Sequence, residues 1–245
     1  MNEFKDKVVV ISGAGAGMAA EQAKHFLEEG AYVIGLDVNG AGLKEVREKN
    51  IQYSDHFLSY EVDISKKDQI ETAITEATKN LKHIDVLVNT AGVFDKYTPM
   101  MDIDEKLWDL ILNVNVKGMF MLSQAVLPYM LDQNKGVIIN IASAAGVRGS
   151  GGGVAYTASK HGVLGLTKRM SFELGPKGIR VLAVGPGRIS TQMNEGTANL
   201  IDERLPAQRN GKVSEIADVI LFLASEKADY IHGGALMVDG GWTIL

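Results

Sequence analysis

Cysteine is absent from this chain, and histidine and proline are scarce, with five of each among 245 residues. Without cysteine, the chain has no disulfide, no thiolate nucleophile and no cysteine-ligated metal. The histidines are scattered, and no two of them have the spacing of metal ligands. They are His25, His56, His83, His161 and His232. We therefore expect chemistry that needs neither a metal ion nor a thiol.

Clustered charge and long apolar runs are also lacking. The net charge is −5 with acidic and basic residues interspersed, which argues against a nucleic-acid or anionic-membrane partner. No apolar stretch approaches the roughly 20 residues that span a bilayer. The N-terminal segment, MNEFKDK, is polar and leads into a short apolar run, unlike a signal peptide. These features predict a cytoplasmic protein that does not bind a membrane.

Glycine, by contrast, is abundant, and 27 glycines punctuate an alternation of strand and helix patterns. Short β-branched runs predict strands at 7–12, 31–37, 57–62, 84–89, 136–142, 179–184 and 235–238. Apolar residues at helical spacing predict helices at 20–29, 66–80, 107–131, 156–174 and 214–224. No linker or composition shift divides residues 1–245. The pattern predicts an α/β fold, a single domain with a doubly wound parallel sheet of seven strands, or Rossmann fold.

The first strand is followed by a glycine-rich turn and then by a helix, the context that a dinucleotide-binding turn requires. Its glycines let the backbone approach a pyrophosphate, which the free N–H groups at the helix start attract. The candidate binding residues in this turn are Gly13, Gly15, Ala16, Gly17 and Met18. The spacing allows two registers, so which glycine lies nearest the phosphate stays open.

Asp37 follows this turn by about twenty residues, at the end of the second predicted strand. There a carboxylate can accept hydrogen bonds from the adenosine ribose and repels the 2′-phosphate of NADP. Neither Ala16 nor Val38 offers a cation for that phosphate, so we expect NAD. The alternative is that Asp37 caps a helix that begins near Asn39.

Polar residues or turn-forming residues close most of the predicted strands. The carboxyl ends of parallel strands meet at one rim of the sheet, where ligands bind in doubly wound folds. The residues at these strand ends are Gly13, Asp37, Asp63, Asn89, Ser143 and Pro186. Their shared position predicts a single binding site.

The stretch from Ser143 to Lys160 carries the candidate chemistry, because it holds a serine, several glycines, Tyr156 and Lys160. Residues four apart lie on the same face of a helix. A nearby ammonium lowers the pKa of a phenol from its usual value of about 10, toward the range useful for general acid–base catalysis. The glycines can fold Ser143 back to the same place. The alternative is a half-buried aromatic ring beside a lysine whose stem packs along the helix.

These residues lie in motifs that resemble those of the single-domain short-chain dehydrogenase/reductases along nearly the whole chain. The motifs are SGAGAGMA at 12–19, Asp37, Asp63-Ile64, NTAG at 89–92, Asn115, Ser143, Tyr156-x-x-x-Lys160, PGRIST at 186–191 and VDGGW at 238–242. The resemblance implies a catalytic tetrad of Asn115, Ser143, Tyr156 and Lys160. Besides Asp37, Tyr156, Lys160 and the turn residues, it implies a cofactor shell of Val38, Asp63, Ile64, Asn89, Ala91, Gly92, Pro186, Gly187, Ile189 and Thr191.

The resemblance also implies the role of each catalytic residue. Tyr156 transfers the proton, and Ser143 hydrogen-bonds the carbonyl oxygen. Lys160 lowers the pKa of Tyr156 and holds the nicotinamide ribose. Asn115 holds a water that relays protons to Lys160, or alternatively packs against Asn113. The chain departs from the family pattern at Ala19, Thr90, Leu182 and Gly185.

The implied activity is hydride transfer between NAD(H) and a secondary alcohol or ketone, with a small 3-hydroxy acid as one candidate substrate. The alternatives are a 3-oxoacyl-[acyl-carrier-protein] reductase and a dinucleotide-sensing scaffold without catalysis. The segment between Thr191 and Arg209 is short and polar, which favours a small substrate. Arg148 either pairs with an anionic substrate or faces solvent. The family resemblance implies a homo-oligomer, a dimer or a tetramer, built on helices 107–131 and 156–174.

Overall fold

The computed structural model describes residues 3–191 and 205–245, and a seven-stranded parallel sheet lies at its centre. The strands are β1 (Val8–Ser12), β2 (Tyr32–Asp37), β3 (Phe57–Glu61), β4 (Val86–Asn89), β5 (Gly136–Ile141), β6 (Ile179–Pro186) and β7 (Ala235–Val238). Their order in the sheet is β3-β2-β1-β4-β5-β6-β7. The order reverses between β1 and β4, and such a switch point leaves a crevice at the carboxyl ends of the strands. The predicted doubly wound sheet is confirmed.

Helices cover both faces of this sheet. They are α1 (Gly17–Glu28), α2 (Gly40–Lys49), α3 (Lys67–Leu81), α4 (Glu105–Leu112), α5 (Met119–Gln133), α6 (Val154–Leu174) and α7 (Val213–Ala224). Strand β1 shows why both faces need cover, since it is apolar without polar alternation. Its Val9 packs in the layer that contains Phe26 of α1, and Val10 packs in the layer that contains Leu122 of α5. All four side chains are fully buried.

Helix α2 is missing from the helices predicted by apolar spacing and appears only in the alternative for Asp37, because Gly40 and Gly42 are poor helix formers and obscure its pattern. Asn39 caps the helix by accepting a 3.1 Å hydrogen bond from the N–H of Gly42. The alternative role of Asp37 as this cap is therefore wrong. Its Oδ1 instead accepts a 2.8 Å hydrogen bond from the N–H of Asn39.

Helices α4 and α5 are joined without a break by a π-helical segment, Asn113–Gly118, which contains Asn115. A π-helical turn often marks a functional site. Within the described residues, Glu105–Gln133 is long and apolar enough to cross a membrane by length and composition alone, so the prediction that no apolar stretch approaches that length is wrong. Val126 of this helix is fully buried in the core layer against the sheet, so this part of the helix covers the sheet.

Candidate active site

Ser143, Tyr156 and Lys160 line one cavity of about 90 Å³ at the carboxyl rim of the sheet, which we call the catalytic cavity. Ser143 follows the end of β5, and Tyr156 and Lys160 lie one turn apart near the start of α6. The Ser143 hydroxyl is close enough to the phenol of Tyr156 to lower its pKa by a hydrogen bond. The predicted convergence of these three side chains is therefore observed.

The pKa of Tyr156 does not follow the expectation that Lys160 lowers it. Burial raises the pKa of Tyr156 to about 12, and this outweighs the hydrogen bond with Ser143. Burial also lowers the pKa of Lys160 to about 8, because only 3% of this residue is exposed. The Lys160 Nζ donates a 2.8 Å hydrogen bond to the carbonyl oxygen of Ile141 and lies 5.5 Å from the centroid of the Tyr156 ring. The penalty that burial places on the phenolate thus decides the pKa of Tyr156.

Asn115 is fully buried behind this cavity. Its Oδ1 accepts a 2.7 Å hydrogen bond from the N–H of Val93, and its Nδ2 donates to the Val93 carbonyl oxygen at 2.9 Å and to Ser159 Oγ at 3.0 Å. These bonds tie the loop after β4 to α6, so the alternative that Asn115 packs against the neighbouring asparagine is wrong. A Cβ atom on Gly92 would lie 3.3 Å from Asn115 Oδ1 and 3.6 Å from Lys160 Nζ, so the glycine leaves room beside both groups.

A second cavity of about 450 Å³ lies over the switch point between β1 and β4, and we call it the dinucleotide cavity. It adjoins the catalytic cavity, because Met18, Thr90, Gly92 and Thr191 line both. The predicted cofactor residues that line it are Gly13, Ala16, Gly17, Met18, Asp37, Val38, Asp63, Ile64, Ala91, Gly92 and Thr191. Those that line the catalytic cavity include Pro186, Gly187 and Ile189.

The walls of the dinucleotide cavity suit a nicotinamide dinucleotide. Helix α1 begins there, and its N-cap residue Ala16 makes no side-chain cap, so the first N–H groups of the helix can bind a phosphate. Gly17 has a φ of +57°, a conformation that favours glycine. Gly13 has a φ of +78°, and a Cβ atom on it would lie 3.0 Å from Cα of Ala91, so only glycine lets these two loops approach so closely.

Gly15 faces Asp37 rather than either cavity. Its N–H donates a 2.8 Å hydrogen bond to Oδ2 of Asp37, and a Cβ atom on Gly15 would lie 2.9 Å from the same oxygen. Gly13 and Gly17 are therefore the glycines of the turn that line the cavity, and which of them lies nearer a phosphate stays a prediction. Asp37 both lines the cavity and stabilises the glycine-rich turn.

Asn89 is placed differently from the expected cofactor contact. Its Nδ2 donates hydrogen bonds to Asn140 Oδ1 at 2.9 Å and to Ser123 Oγ at 3.1 Å, and the side chain is 1% exposed. Asn140 in turn donates to Thr167 Oγ1 at 2.9 Å. This buried network joins β4, β5, α5 and α6 below the rim. Sequence does not reveal to which side of a doubly covered strand a side chain points.

Several cavity-lining residues were not predicted. Thr90 donates a 2.7 Å hydrogen bond to Oε1 of Gln22, so its hydroxyl makes a specific contact with α1 at a position where the chain departs from the family pattern. The apolar walls of the dinucleotide cavity also include Leu36, Val62, Val93, Leu110 and Val114. Unpredicted residues of the catalytic cavity include Phe94, Tyr97, Gly151, Arg188 and Trp242. Apolar residues at strand ends carry no distinct signal, because core residues have the same pattern.

A third cavity of about 470 Å³ adjoins the catalytic cavity, and Tyr97, Arg188, Ile189 and Trp242 line both. We call it the outer cavity.

Arg148 is half-buried and lines none of the three cavities. Its guanidinium donates a hydrogen bond to the carbonyl oxygen of Trp242. The alternative of a solvent-facing side chain for Arg148 is therefore wrong, and its contact with an anionic substrate stays a prediction. Most of the predicted substrate-covering segment, at 192–204, lies outside the described residues.

Known proteins share this sequence pattern and architecture from end to end. Residues 13–243 match the sequence profile of a family described as enoyl-(acyl carrier protein) reductase. The 3-oxoacyl-[acyl-carrier-protein] reductase FabG of Thermotoga maritima is 38% identical over 245 residues, which cover 98% of this chain and 99% of that protein. The crystal structure of levodione reductase matches with a TM-score of 0.93 and 32% identity, covering 98% of this chain and 99% of that one. The crystal structure of 3-ketoacyl-(acyl-carrier-protein) reductase from Brucella melitensis complexed with NADH matches with a TM-score of 0.90, 31% identity and the same coverage.

Proposed function

Because the chain belongs to the short-chain dehydrogenase/reductase family of oxidoreductases, we propose that it interconverts a secondary alcohol and a ketone with NAD(H). The observation that carries the proposal is the convergence of Ser143, Tyr156 and Lys160 on a cavity that adjoins the dinucleotide cavity. A hydroxyl, a phenol and an ammonium around one small volume are what proton transfer to a carbonyl oxygen requires.

Each of these side chains has a distinct part in the proposal. The bound nicotinamide supplies or accepts the hydride. Tyr156 donates its proton to the carbonyl oxygen in reduction and accepts a proton from the alcohol in oxidation. Ser143 donates a hydrogen bond to the same oxygen as negative charge develops there. Lys160 lies in the same cavity and donates a hydrogen bond to the nicotinamide ribose. We expect Asn115 to place a water that relays protons to Lys160.

The raised pKa of Tyr156 supports a role as proton donor. A phenol with a pKa of about 12 stays protonated at neutral pH, so it is ready to donate to a ketone. Oxidation of the alcohol instead requires the phenolate, which becomes common only at alkaline pH. We infer that Tyr156 is protonated near neutral pH, the state in which it can act as the acid in ketone reduction.

Negative charge at the adenosine end of the dinucleotide cavity supports NAD over NADP. Asp37 and Asp63 line the cavity there, and Glu61 lies against Gly40 at the start of α2. None of the described residues that line this cavity is lysine or arginine. A 2′-phosphate would meet these carboxylates without a cation to bind it, whereas a ribose hydroxyl can donate to a carboxylate.

The substrate remains a choice between two classes. The small catalytic cavity, of about 90 Å³, favours a small 3-hydroxy acid or its ketone. A 3-oxoacyl group carried on a thioester is the second candidate, and two observations favour it. Two of the similar proteins bear that activity in their names, and the outer cavity of about 470 Å³ offers room for an acyl chain beside Trp242.

The test is a cofactor titration followed by a substrate panel. NADH and NADPH are titrated by the fluorescence of the reduced nicotinamide, and NADH oxidation is then measured with small 3-oxo acids, neutral ketones and 3-oxoacyl thioesters. Tighter binding of NADH with turnover of ketones supports the proposal. Preferential turnover of thioesters supports the second candidate. Binding without turnover of any of these would indicate the non-catalytic dinucleotide sensor.

We also propose that the protein forms a homo-oligomer through its long helices and works in the cytoplasm. Trp108, Phe120 and Phe172 are large apolar side chains on α4, α5 and α6 that are 38%, 45% and 76% exposed. Apolar residues exposed on helices are common at interfaces between copies of a chain. Light scattering coupled to gel filtration tests this; a monomer at micromolar concentration contradicts it.

A further inference from the structure

Asp95, in the loop that follows β4, is a carboxylate buried beside the catalytic cavity, with 1% of its surface exposed. Its Oδ1 accepts hydrogen bonds from the N–H of Gly153 at 2.8 Å and of Tyr97 at 3.3 Å. Its Oδ2 accepts a 2.9 Å hydrogen bond from the N–H of Tyr156. A buried charge is costly unless hydrogen bonds satisfy it, and here backbone N–H groups at the start of α6 do so.

This carboxylate acts as the N-terminal cap of α6. The helix begins at Val154, and the residue before it, Gly153, has no side chain that could cap it. A Cβ atom on Gly153 would lie 2.6 Å from Oδ2 of Asp95, so a larger residue would displace the carboxylate. Asp95, which lies 58 residues earlier in the chain, supplies the cap and places negative charge at the positive end of the helix dipole.

The same loop also contacts the ring of Tyr156. Phe94 packs edge-to-face against it, with centroids 4.9 Å apart and an interplanar angle of 87°. Asn115 fixes the loop in turn, because it bonds both backbone groups of Val93. The backbone and the ring of Tyr156 are thus both held by consecutive residues of one loop.

We propose that Asp95 is a positioning residue of the active site, which holds Tyr156 at the catalytic cavity by capping α6 from the loop after β4. The proposal rests on the proposed function, in which Tyr156 transfers the proton. A displacement of 1 Å at a reacting group can cost about 10²-fold in rate, so the anchoring of this phenol matters for turnover.

The charge of Asp95 adds an effect that can be measured separately. The titratable and polar groups that face Tyr156 or share its cavity are Asp95 and Tyr97 from the loop, Ser143 after β5, Lys160 on α6 and Arg188 after β6. Burial is the largest cause that raises the pKa of Tyr156, the hydrogen bond with Ser143 lowers it, and the charge of Asp95 raises it further. Removing that charge should therefore lower the pKa of Tyr156.

Asp95→Asn tests the proposal, because asparagine offers one acceptor oxygen, whereas the N–H groups of Gly153 and Tyr156 bind one carboxylate oxygen each. We expect kcat for ketone reduction to fall by about 10- to 100-fold with little change in KM or in the Kd for NADH. The ultraviolet titration of Tyr156, taken as the difference between each chain and the same chain with Tyr156→Phe, should move to lower pH. Asp95→Glu keeps the charge and should return this titration toward its original position. Unchanged kcat together with an unchanged titration would overturn the proposal.

Asp104→Ala is the matched control. Asp104 caps α4 by accepting a 2.7 Å hydrogen bond from the N–H of Leu107, and it does not line the catalytic cavity. Alanine removes this cap, and the loss should leave kcat and the titration of Tyr156 unchanged. Equal losses of kcat in Asp104→Ala and Asp95→Asn would mean that Asp95 contributes only stability, and this would also overturn the proposal.

Hydrogen exchange separates this proposal from the proposed function. In Asp95→Asn, the amides of Gly153 and Tyr156 should exchange faster by about tenfold, and unchanged exchange would overturn the proposal whether or not a ketone is turned over. A wild-type chain that reduces no ketone contradicts only the proposed function. If Asp95→Asn does not fold, Gly153→Ala disturbs the same contact from the other side. It should lower kcat and accelerate the same amides, and wild-type values for both would overturn the proposal.

Discussion

Lys160 and Ile141 are joined by a 2.8 Å hydrogen bond from the lysine ammonium to a backbone carbonyl oxygen at the end of β5. This bond holds a buried cation at the catalytic cavity, where the hydride and proton transfers are proposed to occur. The cation is costly for folding, since burial lowers its pKa from 10.5 to about 8. Burial of the Lys160 ammonium thus lowers folding stability and places a positive charge where the phenolate forms.

Replacement of Lys160 should show this loss of folding stability directly. The unfolded chain binds the Lys160 proton up to a pH of 10.5, whereas the folded chain loses it near 8, so the stability of the wild type rises with pH between these values. At pH 7 the full penalty applies. Lys160→Met should therefore raise the free energy of unfolding at pH 7 by about 1–3 kcal/mol and abolish turnover. Urea unfolding from pH 7 to pH 11 measures the difference, which should shrink as pH rises.

The control for this experiment is Lys168→Met, on the exposed face of the same helix. It should change stability little and leave turnover intact, because an exposed lysine pays no burial penalty. A Lys160→Met chain that is less stable than the wild type at pH 7 would contradict the assigned cost.

Tyr156→Phe should lower kcat by about 10²–10⁴-fold, the usual contribution of a general acid or base. The Kd for NADH should stay nearly the same, since the ring and its packing against Phe94 are retained. Stopped-flow oxidation of NADH and fluorescence titration give the two values. Tyr97→Phe removes a hydroxyl from the same cavity and should keep most of the turnover. Comparable losses in the two variants would rule out a special role for Tyr156.

Val38→Arg should improve NADPH binding by about tenfold or more while NADH binding changes little. Val38 is 70% exposed and lines the dinucleotide cavity, so an arginine there can pair with a 2′-phosphate. Asp37 is the less suitable position, because its carboxylate also binds the N–H of Gly15. Ile51→Arg, at a site that is 65% exposed and away from the cavity, is the control. An equal gain in NADPH affinity from both would mean that the added net charge alone is responsible.

Arg188→Gln should raise KM for anionic ketones more than for neutral ones, because Arg188 lines both the catalytic and the outer cavity.

Arg148→Ala, by contrast, should raise KM for anionic and neutral ketones alike. Its guanidinium holds the carbonyl oxygen of Trp242, whose side chain lines the same two cavities. Steady-state kinetics with a keto acid and its neutral ester measure KM for both kinds of substrate in each variant. If Arg148→Ala raised KM for the anionic substrate only, Arg148 would be a substrate-binding residue.

Much of the site could be predicted because short motifs determine it. The positive φ of Gly17 and the close approach of Gly13 to Ala91 need glycine whatever surrounds them. Tyr156 and Lys160 share a helix face for the geometric reason that they are one turn apart. The prediction failed for α2, where glycines weaken the helical pattern, and for Asn89, whose side chain points into a buried network.

The sequence by itself determined the alternation of strands and helices, the family and the set of groups at the carboxyl rim. Such features depend on local spacing and on residue type, and both can be read directly from the sequence. Only the tertiary structure decided that burial raises the pKa of Tyr156, that Arg148 holds Trp242, and that Asp95 caps α6 from 58 residues away. These depend on desolvation and on contacts between distant segments, and neither exists until the sheet has brought those segments together.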